Sequence, residues 1–204
     1  MRHTNIFEER RAVRFFDKNA DLPPERLKAI IDLAVLAPSA FNLQPWEIIA
    51  VRSAEAKQLL ADNAGGQQKI LDAPVTLILI GNREGYDLSN PVWEEARGIF
   101  KEEAGFNAAV QSARSLYGTS PERKIKFAES NAGLLAMSIM YAAAYLGVDS
   151  HPMSGIDFDG IKKAFNIGEG KAVVMLISLG YIDPDHPLAL RRPRRQYDDI
   201  VTEV

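Results

Sequence analysis

The chain has 204 residues, of which 47% are hydrophobic and 25% are charged, and its formal net charge is -3. These values are typical of a globular protein of about one domain and exclude a disordered or fibrous chain. The absence of cysteine excludes a disulfide framework, thiolate metal ligation and a cysteine nucleophile, and it fits a reducing cytoplasm. The acidic balance argues against nucleic acid or an anionic membrane surface as a partner.

No segment of the sequence predicts export or membrane insertion. Residues 1–14 mix both signs of charge and lack the apolar stretch of a secretory signal. The longest apolar window, residues 134–146, is shorter than the roughly 20 residues that a membrane-spanning helix needs. We therefore expect a cytoplasmic protein.

Hydrophobic spacing predicts five elements in the first part of the chain. Apolar residues recur at helical intervals after Asp21, which is positioned to cap that helix, and Ser53 is positioned to cap the next one. The unbroken apolar run after Pro74 is typical of a strand that is buried on both faces. The five elements are a helix over 21–36, a strand over 46–51, a helix over 53–63, a helical turn over 69–72 and a strand over 75–80.

The second part of the chain begins with an irregular region, residues 81–120, where Gly98 and Gly105 weaken a helical pattern. We expect this region to be a mobile, lid-like excursion that sets the range of substrates. Its aromatic side chains either stack over a planar acceptor or pack against one another, and they are Trp93, Phe100, Phe106 and Tyr117. The later elements are a long helix over 121–146, a short helix over 158–165, a strand over 172–179 and a proline-containing tail over 183–204.

The long helix is apolar over most of its circumference, so we expect it to be central. Three strands among helices predict one domain over residues 1–204, of the α/β or α+β class, with helices covering a central sheet. The tail is too polar to pack on its own chain as a regular element. We expect it to reach across to a second subunit.

Two clusters of arginines are candidates for binding a phosphate. The first contains Arg10, Arg11 and Arg14 in a stretch that could alternate along an extended strand, and the second spans residues 191–195. Guanidinium groups bind phosphate through paired hydrogen bonds, so both clusters favour a phosphorylated ligand. A solvated charged surface is the alternative for the first cluster, and nucleic acid is the alternative for the second. The near absence of aromatic residues beside the second cluster argues against nucleic acid.

Two loops carry neutral groups that suit a heteroaromatic ligand. Residues 37–46 present Ser39, Asn42 and Gln44, whose short side chains offer both donors and acceptors. In residues 151–157, Gly155 allows close approach of main-chain N–H groups to a ligand. Ordinary turn and loop chemistry is the alternative for both segments. His151 has no histidine or other partner at a spacing typical of a metal site, so no metal site is predicted.

The sequence lacks the common nucleotide and hydrolase motifs. It contains no G-x-G-x-x-G, no G-x-x-x-x-G-K-[ST], no G-x-S-x-G and no H-E-x-x-H. These absences argue against a Rossmann dinucleotide site, nucleotide hydrolysis and a serine triad.

Taken in order, these segments resemble the FMN-dependent nitroreductase family over almost the entire chain. Residues 37–46, APSAFNLQPW, are similar to the family signature A-P-S-x-x-N-x-Q-P-W, and residues 9–15 are similar to its opening R-R-S-x-R-x-F. Residues 152–155 stand at the place of its P-x-x-G loop. Its carboxy-terminal basic pair and a further basic flavin contact are matched by Arg192, Arg194 and Lys69.

The resemblance implies an α+β fold, in the form of a three-layer α/β/α sandwich with a central mixed sheet and a long central helix. It implies that FMN is bound at the interface of an obligate homodimer and that the tail over 183–204 is an arm that crosses to the partner subunit. It also implies that NADH or NADPH supplies electrons, which pass in a ping-pong cycle to a nitroaromatic, quinone or similar electron-poor acceptor. The cofactor carries this chemistry, so no catalytic side chain is expected.

Carried over residue by residue, the resemblance assigns roles to individual positions. The phosphate and ribityl chain would be held by Arg10, Arg11, Arg192 and Arg194. Arg14 would lie near the pyrimidine edge, and the backbone at Ser154 and Gly155 would approach the flavin N5. The remaining expected contacts are Ala12, Ser39, Asn42, Gln44, Lys69 and Met153. Ala12 replaces a serine that is common in the family, and Ser154 stands where many members have glycine or glutamate.

Three alternative functions remain open from the sequence. The same flavin could serve another reaction, such as enone or flavin reduction. The protein could bind flavin without turnover, as a sensor or carrier. The arginine clusters could form a nucleic-acid-binding module, which would be colourless and would bind in a salt-dependent way.

Overall fold

The computed structural model describes residues 5–204, which form nine α-helices, one 3-10 turn and one four-stranded sheet. The strands are β1 (Trp46–Val51), β2 (Val75–Asn82), β3 (Asp149–Met153) and β4 (Lys171–Gly180). The first helices are α1 (Ile6–Glu9), α2 (Pro24–Ala34), α3 (Ala54–Asp62) and α4 (Gln68–Asp72). The later helices are α5 (Val92–Arg97), α6 (Glu103–Tyr117), α7 (Pro121–Tyr145), α8 (Phe158–Ala164) and α9 (Tyr197–Ile200).

The sheet has the order β1-β2-β4-β3, and each neighbouring pair of these strands is antiparallel. The expected sheet with both parallel and antiparallel strand pairs is therefore not formed. Within residues 5–204, the parallel pairing is one isolated bridge, which joins Ala12 to Ser150 of β3. The amino-terminal segment runs along the free edge of β3 and pairs there at a single position, so it does not become a fifth strand. A second isolated bridge joins Phe16 to Ile182 and is antiparallel.

The core lies on both faces of the sheet, because successive side chains of β2 point to opposite faces. Leu77 and Leu79 pack with α2 and α7 on one face, whereas Ile78 and Ile80 pack with α3, α4 and α8 on the other. All four leucine and isoleucine side chains are buried. The prediction of a strand buried on both faces is confirmed, and the result is a three-layer α+β arrangement.

The expectation of a loop at residues 151–153 is wrong, because these residues belong to β3. The strand was not recognised because Asp149, Ser150 and Pro152 have little preference for strands. It forms at the edge of the sheet, where proline is tolerated, and its register is set by pairing with β4, where Pro152 lies opposite Ile177.

The capping predictions have different outcomes. Ser53 caps α3 as expected, since its side chain accepts a hydrogen bond from the N–H of Ala56 at 3.2 Å. Asp21 does not cap α2, which begins at Pro24 and has Pro23 at the capping position without a side-chain hydrogen bond. The two prolines fix a helical φ angle and lack the N–H groups that a cap would satisfy.

The long helix α7 is central, as predicted, but its apolar surface is not entirely buried. Ten of its residues are buried, including Leu135 and Ile139 in the core beneath the sheet. Leu134 and Tyr145 are 48% and 74% exposed. The helix therefore leaves part of an apolar face uncovered by its own chain.

Helix α7 lies close to the sheet at Gly81 of β2. A Cβ atom at this position would lie 2.7 Å from the main-chain oxygen of Ala128. We expect Gly81→Ala to lower the free energy of unfolding by about 1 to 3 kcal/mol, because rigid backbone meets the added methyl group. Denaturant unfolding measures this change.

Gly133→Ala is the matched control, because Gly133 also lies in α7 but has no atom within 4 Å of an added Cβ. Alanine is the better helix former by up to about 1 kcal/mol, so this variant is expected to be unchanged or more stable. Equal destabilisation by both substitutions would contradict the close approach at Gly81.

The irregular region forms two helices, α5 and α6, which are separated at residues 98–102. Trp93 and Phe106 are each 1% exposed and pack in a cluster of their own with Leu43 and Phe127. The packing role is therefore confirmed for these two aromatic residues. A lid that sets the range of substrates stays a prediction.

The tail carries only the short helix α9 and is exposed from Pro184 onward. Its first half contacts its own chain without forming a helix or strand, and the crossing to a second subunit stays a prediction. Within residues 5–204, no helix has the length and apolar character needed to cross a bilayer, and no group of side chains is arranged to hold a metal ion.

Candidate functional site

A pocket of about 410 Å³ opens between the amino-terminal segment, β3 and the first half of the tail. Its volume lies in the range of small-molecule sites, about 300 to 1,000 Å³. The predicted site residues in its wall are Arg10, Arg11, Ala12, Arg14, Arg192 and Arg194. The fold thus unites the two arginine clusters from opposite ends of the chain, as the phosphate hypothesis requires.

Two buried residues anchor the amino-terminal segment. Val13 and Phe16 are buried against Ala73, and the Val13 N–H donates a hydrogen bond to the Ser150 carbonyl oxygen at 3.0 Å. Ala12 and Arg14 are exposed. The chain pairs only at Ala12 and Phe16 and bends at Arg14 and Phe15, so the extended strand that the spacing allowed is not formed, and the exposed Arg14 side chain lines the pocket.

The tail is fastened to this segment by several contacts, among them hydrogen bonds from the Arg191 side chain to the Glu8 and Arg10 carbonyl oxygens. Arg11 Nη2 donates a hydrogen bond to the Ala189 carbonyl oxygen at 2.6 Å, and the N–H of Asp183 donates to the Phe15 carbonyl oxygen at 3.0 Å. The ring of His186 stacks on Phe15 with a centroid separation of 4.4 Å. These contacts make the tail one wall of the pocket and place its arginines there.

The pocket has a positive field. Within residues 5–204, none of the arginine side chains in its wall forms an ion pair with a carboxylate. Burial and then the nearby charge of Arg14 lower the pKa of Lys69, which lies in α4. Burial, followed by the charges of Lys69 and Arg14, lowers the pKa of His151 to about 4. An anionic ligand would relieve this repulsion.

Lys69 and the segment after β3 are linked by one glutamine. Lys69 Nζ donates a hydrogen bond to Gln67 Oε1 at 2.9 Å, and Gln67 Nε2 donates to the Gly155 carbonyl oxygen at 3.4 Å. Ser154 and Gly155 are exposed, so their main chain is accessible. The side chain of Met153 is 5% exposed and packs in the core, which leaves only its main chain for a ligand.

The loop with Ser39, Asn42 and Gln44 lies elsewhere, and none of these residues lines the pocket. Ser39 Oγ accepts a hydrogen bond from the Gln44 N–H at 3.0 Å, and Gln44 Nε2 donates to the Asn42 carbonyl oxygen at 3.3 Å. The buried Asn131 of α7 fixes the loop further, since its Oδ1 accepts from the Ala40 N–H at 2.8 Å.

The backbone of this loop is unusual. Phe41, Asn42 and Gln44 have φ angles of 52°, 54° and 47°. Residues other than glycine rarely adopt this left-handed region of backbone conformation. The surrounding packing and hydrogen bonds hold this conformation, which costs free energy. Asn42 is exposed, and its side chain has no hydrogen-bond partner within residues 5–204. The loop therefore presents Asn42 outward in a fixed position.

Sequence reasoning missed several residues of the pocket wall, among them His151, His186 and Phe15. Because β3 was not recognised, nothing in the spacing placed His151 against the arginine segment. The only signal for His186 was its position in the tail, between Asp183 and the arginines.

The family model for the nitroreductase family matches residues 7–181 of the chain. The protein belongs to the nitroreductase family. This membership confirms the resemblance seen in the sequence, the α+β fold and the expected class of oxidoreductase.

Individual relatives of this nitroreductase-family protein agree over nearly its whole length. The candidate NAD(P)H nitroreductase MhqN of Bacillus subtilis is 31% identical over 199 residues, which are 95% of this chain and 96% of the relative. An NADH dehydrogenase of Thermus thermophilus is 31% identical over 190 residues, 90% of each chain. A structure from Exiguobacterium sibiricum, solved in complex with FMN, has a TM-score of 0.83 and 26% identity and covers 99% of this chain and 97% of its own.

Proposed function

We propose that this protein binds FMN in the arginine pocket and uses it to pass electrons from NADH or NADPH to a small electron-poor acceptor. The observation that carries the proposal is the meeting of Arg10, Arg11, Arg192 and Arg194 in one pocket without carboxylate partners within residues 5–204. Membership of the nitroreductase family and the structural relative solved with FMN also support this proposal.

The residues present fit FMN. Guanidinium groups without carboxylate partners suit a phosphate, which accepts paired hydrogen bonds from them. Arg14 and Lys69 would place positive charge at the pyrimidine edge of the ring, where it stabilises negative charge that develops there. The exposed main chain at Ser154 and Gly155 can approach the ring closely, because Gly155 has no side chain. When bound, FMN supplies the redox chemistry, so the chain itself needs to bind, orient and polarise the ring.

A second copy of the chain completes the site in this proposal. The pocket is open, and the loop that presents Asn42 does not reach it in the same chain. Large apolar side chains are exposed on α7, after α2 and in the tail, including Tyr145, Leu36 and Leu190. Exposed apolar surface of this kind is typical of an interface. We therefore infer a homodimer in which the partner subunit supplies the loop with Ser39, Asn42 and Gln44.

The acceptor class is nitroaromatic, quinone or similar, and the cycle is of the ping-pong type. The donor and the acceptor would use the same cleft in turn. The region over 81–120 borders the loop with Asn42, because Phe41 lies 6.1 Å from Trp93 and 6.3 Å from Tyr117 between ring centroids. This proximity supports a role for the region in setting which acceptors enter.

The test is the visible absorption spectrum of the purified protein after reconstitution with FMN, recorded without oxygen before and after addition of NADH or NADPH. We expect the bound flavin band to bleach with at least one nicotinamide and to return when a quinone or a nitroaromatic compound is added. Failure to bind FMN would overturn the proposal. Bound flavin that neither nicotinamide reduces would indicate a sensor or carrier.

A further inference from the structure

His151 lies in the wall of the arginine pocket with one ring nitrogen already committed. Its Nδ1 is 2.9 Å from the Val13 carbonyl oxygen. A carbonyl oxygen only accepts hydrogen bonds, so Nδ1 carries the hydrogen and donates it. In the neutral ring Nε2 then has a lone pair, and it has no hydrogen-bond partner within residues 5–204.

Most of the charged groups around His151 are positive. Lys69 approaches it from α4, and Asp149, on its own strand, accepts a hydrogen bond from the Ile182 N–H at 2.8 Å. On β4 it pairs with Ser178, which is uncharged. In the tail, His186 pairs with Asp183 at 2.9 Å. The other charged groups of the wall are Arg10, Arg11, Arg14, Arg191, Arg192 and Arg194.

We propose that His151 is a proton-accepting residue of this pocket: when a phosphate-bearing anion binds among the arginines, Nε2 takes a proton from solvent and becomes a hydrogen-bond donor on the pocket side of the ring. The proposal rests on the proposed function in naming FMN as that anion. One N–H bond forms at Nε2, the ring gains one positive charge, and no electrons are transferred.

The pocket is prepared for this change without rearrangement. The hydrogen bond from Nδ1 to Val13 is the same in the neutral and the protonated ring, so the arginine segment keeps its place in both states. Without an anion, burial and the charges of Lys69 and Arg14 keep the ring neutral, since they lower the pKa to about 4. A bound anion adds the opposite charge and raises the pKa of His151.

The affinity for FMN consequently depends on pH with a definite sign. The bound state has the higher pKa and holds the extra proton, so binding becomes stronger as the pH falls through the bound-state pKa toward the free value of about 4. Linkage of one proton changes the affinity by at most about tenfold per pH unit. Above the bound-state pKa this contribution disappears.

The experiment measures the pKa of the His151 ring by NMR in the wild-type protein, first without flavin and then saturated with FMN. We expect a pKa near 4 without flavin and a value at least about one unit higher in the complex. The ring signals of His151 are assigned by their absence from the spectrum of His151→Gln. If that variant does not fold, they are assigned in the wild type through their connection to the backbone signals.

The FMN dissociation constant is then measured between about pH 7 and pH 5 for three proteins. Glutamine keeps a donor for the Val13 carbonyl but cannot titrate, so His151→Gln should lose the strengthening at low pH that the wild type shows. Arg195→Gln is the control, because Arg195 lies in the same tail but does not line the pocket, and it should keep this strengthening. The FMN phosphate, with a second pKa of about 6, titrates in all three proteins and cancels in the comparison.

The outcomes separate this inference from the proposed function. If the wild type does not bind FMN, the proposed function is overturned and this inference with it. If FMN binds and the pKa of His151 does not rise, only the role of His151 is overturned. The same holds if His151→Gln and the wild type show the same dependence on pH.

Discussion

Replacing Arg10 and Arg192 together with glutamine is expected to weaken FMN binding by at least about 100-fold. A hydrogen bond to a charged group contributes about 1.5 to 3 kcal/mol, and the double variant removes two such donors from the phosphate. Arg10 and Arg192 come from the two ends of the chain and line the same pocket, so the double variant removes one proposed phosphate contact from each end. Titration of the apoprotein with FMN, followed by flavin fluorescence, measures the change.

The same titration with riboflavin shows which part of the ligand the arginines hold. Riboflavin lacks the phosphate, so its affinity should fall by less than about tenfold in the double variant. Arg195→Gln is the control, because Arg195 lies in the same tail but does not line the pocket. Equal losses for FMN and riboflavin would contradict a phosphate site at these arginines.

Strong local signals in the sequence correspond to well-predicted parts of the fold. The apolar run of β2 can be buried only between two layers, and Ser53 offers the one short polar side chain at the start of α3. The long helix α7 follows from Pro121 and its apolar spacing. In each case the residues within one element are enough to predict its secondary structure and its burial or cap.

The parts that were missed depend on contacts between distant residues. Strand β3 has a composition typical of a loop and exists because β4 provides a partner for its backbone. The family resemblance implied a mixed sheet, but the amino-terminal segment touches the edge of β3 at one parallel bridge only, Ala12 to Ser150. Tertiary pairing of this kind leaves no periodic pattern in the sequence.

The candidate site shows the same division. The two arginine clusters were visible in the sequence, but the hydrogen bond from Arg11 to Ala189 that unites them spans 178 positions. The signature loop was also visible, yet only the structure shows that Ser39, Asn42 and Gln44 lie outside the pocket of their own chain. The sequence allowed His151 to be judged only as a metal ligand, because the hydrogen bond to Val13 that orients its ring joins residues 138 positions apart.

A mixture of two defective variants is expected to regain activity if the site is shared between two subunits. The first variant is Arg10→Gln with Arg192→Gln, which damages the pocket. The second is Asn42→Asp, which keeps a residue that tolerates the positive φ of 54° but places a carboxylate where the proposed dimer needs the amide. Each alone should lose at least about tenfold in nicotinamide-dependent reduction of a quinone, since each leaves a charged or polar group unpaired at the ligand.

Random exchange of subunits in an equal mixture makes half of the dimers mixed, and a mixed dimer has one site with both defects and one site with neither. About one quarter of all sites are then intact, so the mixture should reach about one quarter of the wild-type activity. The control mixes the first variant with Lys69→Gln, because Lys69 lies beside Arg14 in the same half of the site. That mixture should show only the mean of its two components, since each mixed dimer then has one defect in each of its pockets. If the mixture with Asn42→Asp also gives only the mean, the loop acts within its own chain and the shared site is wrong.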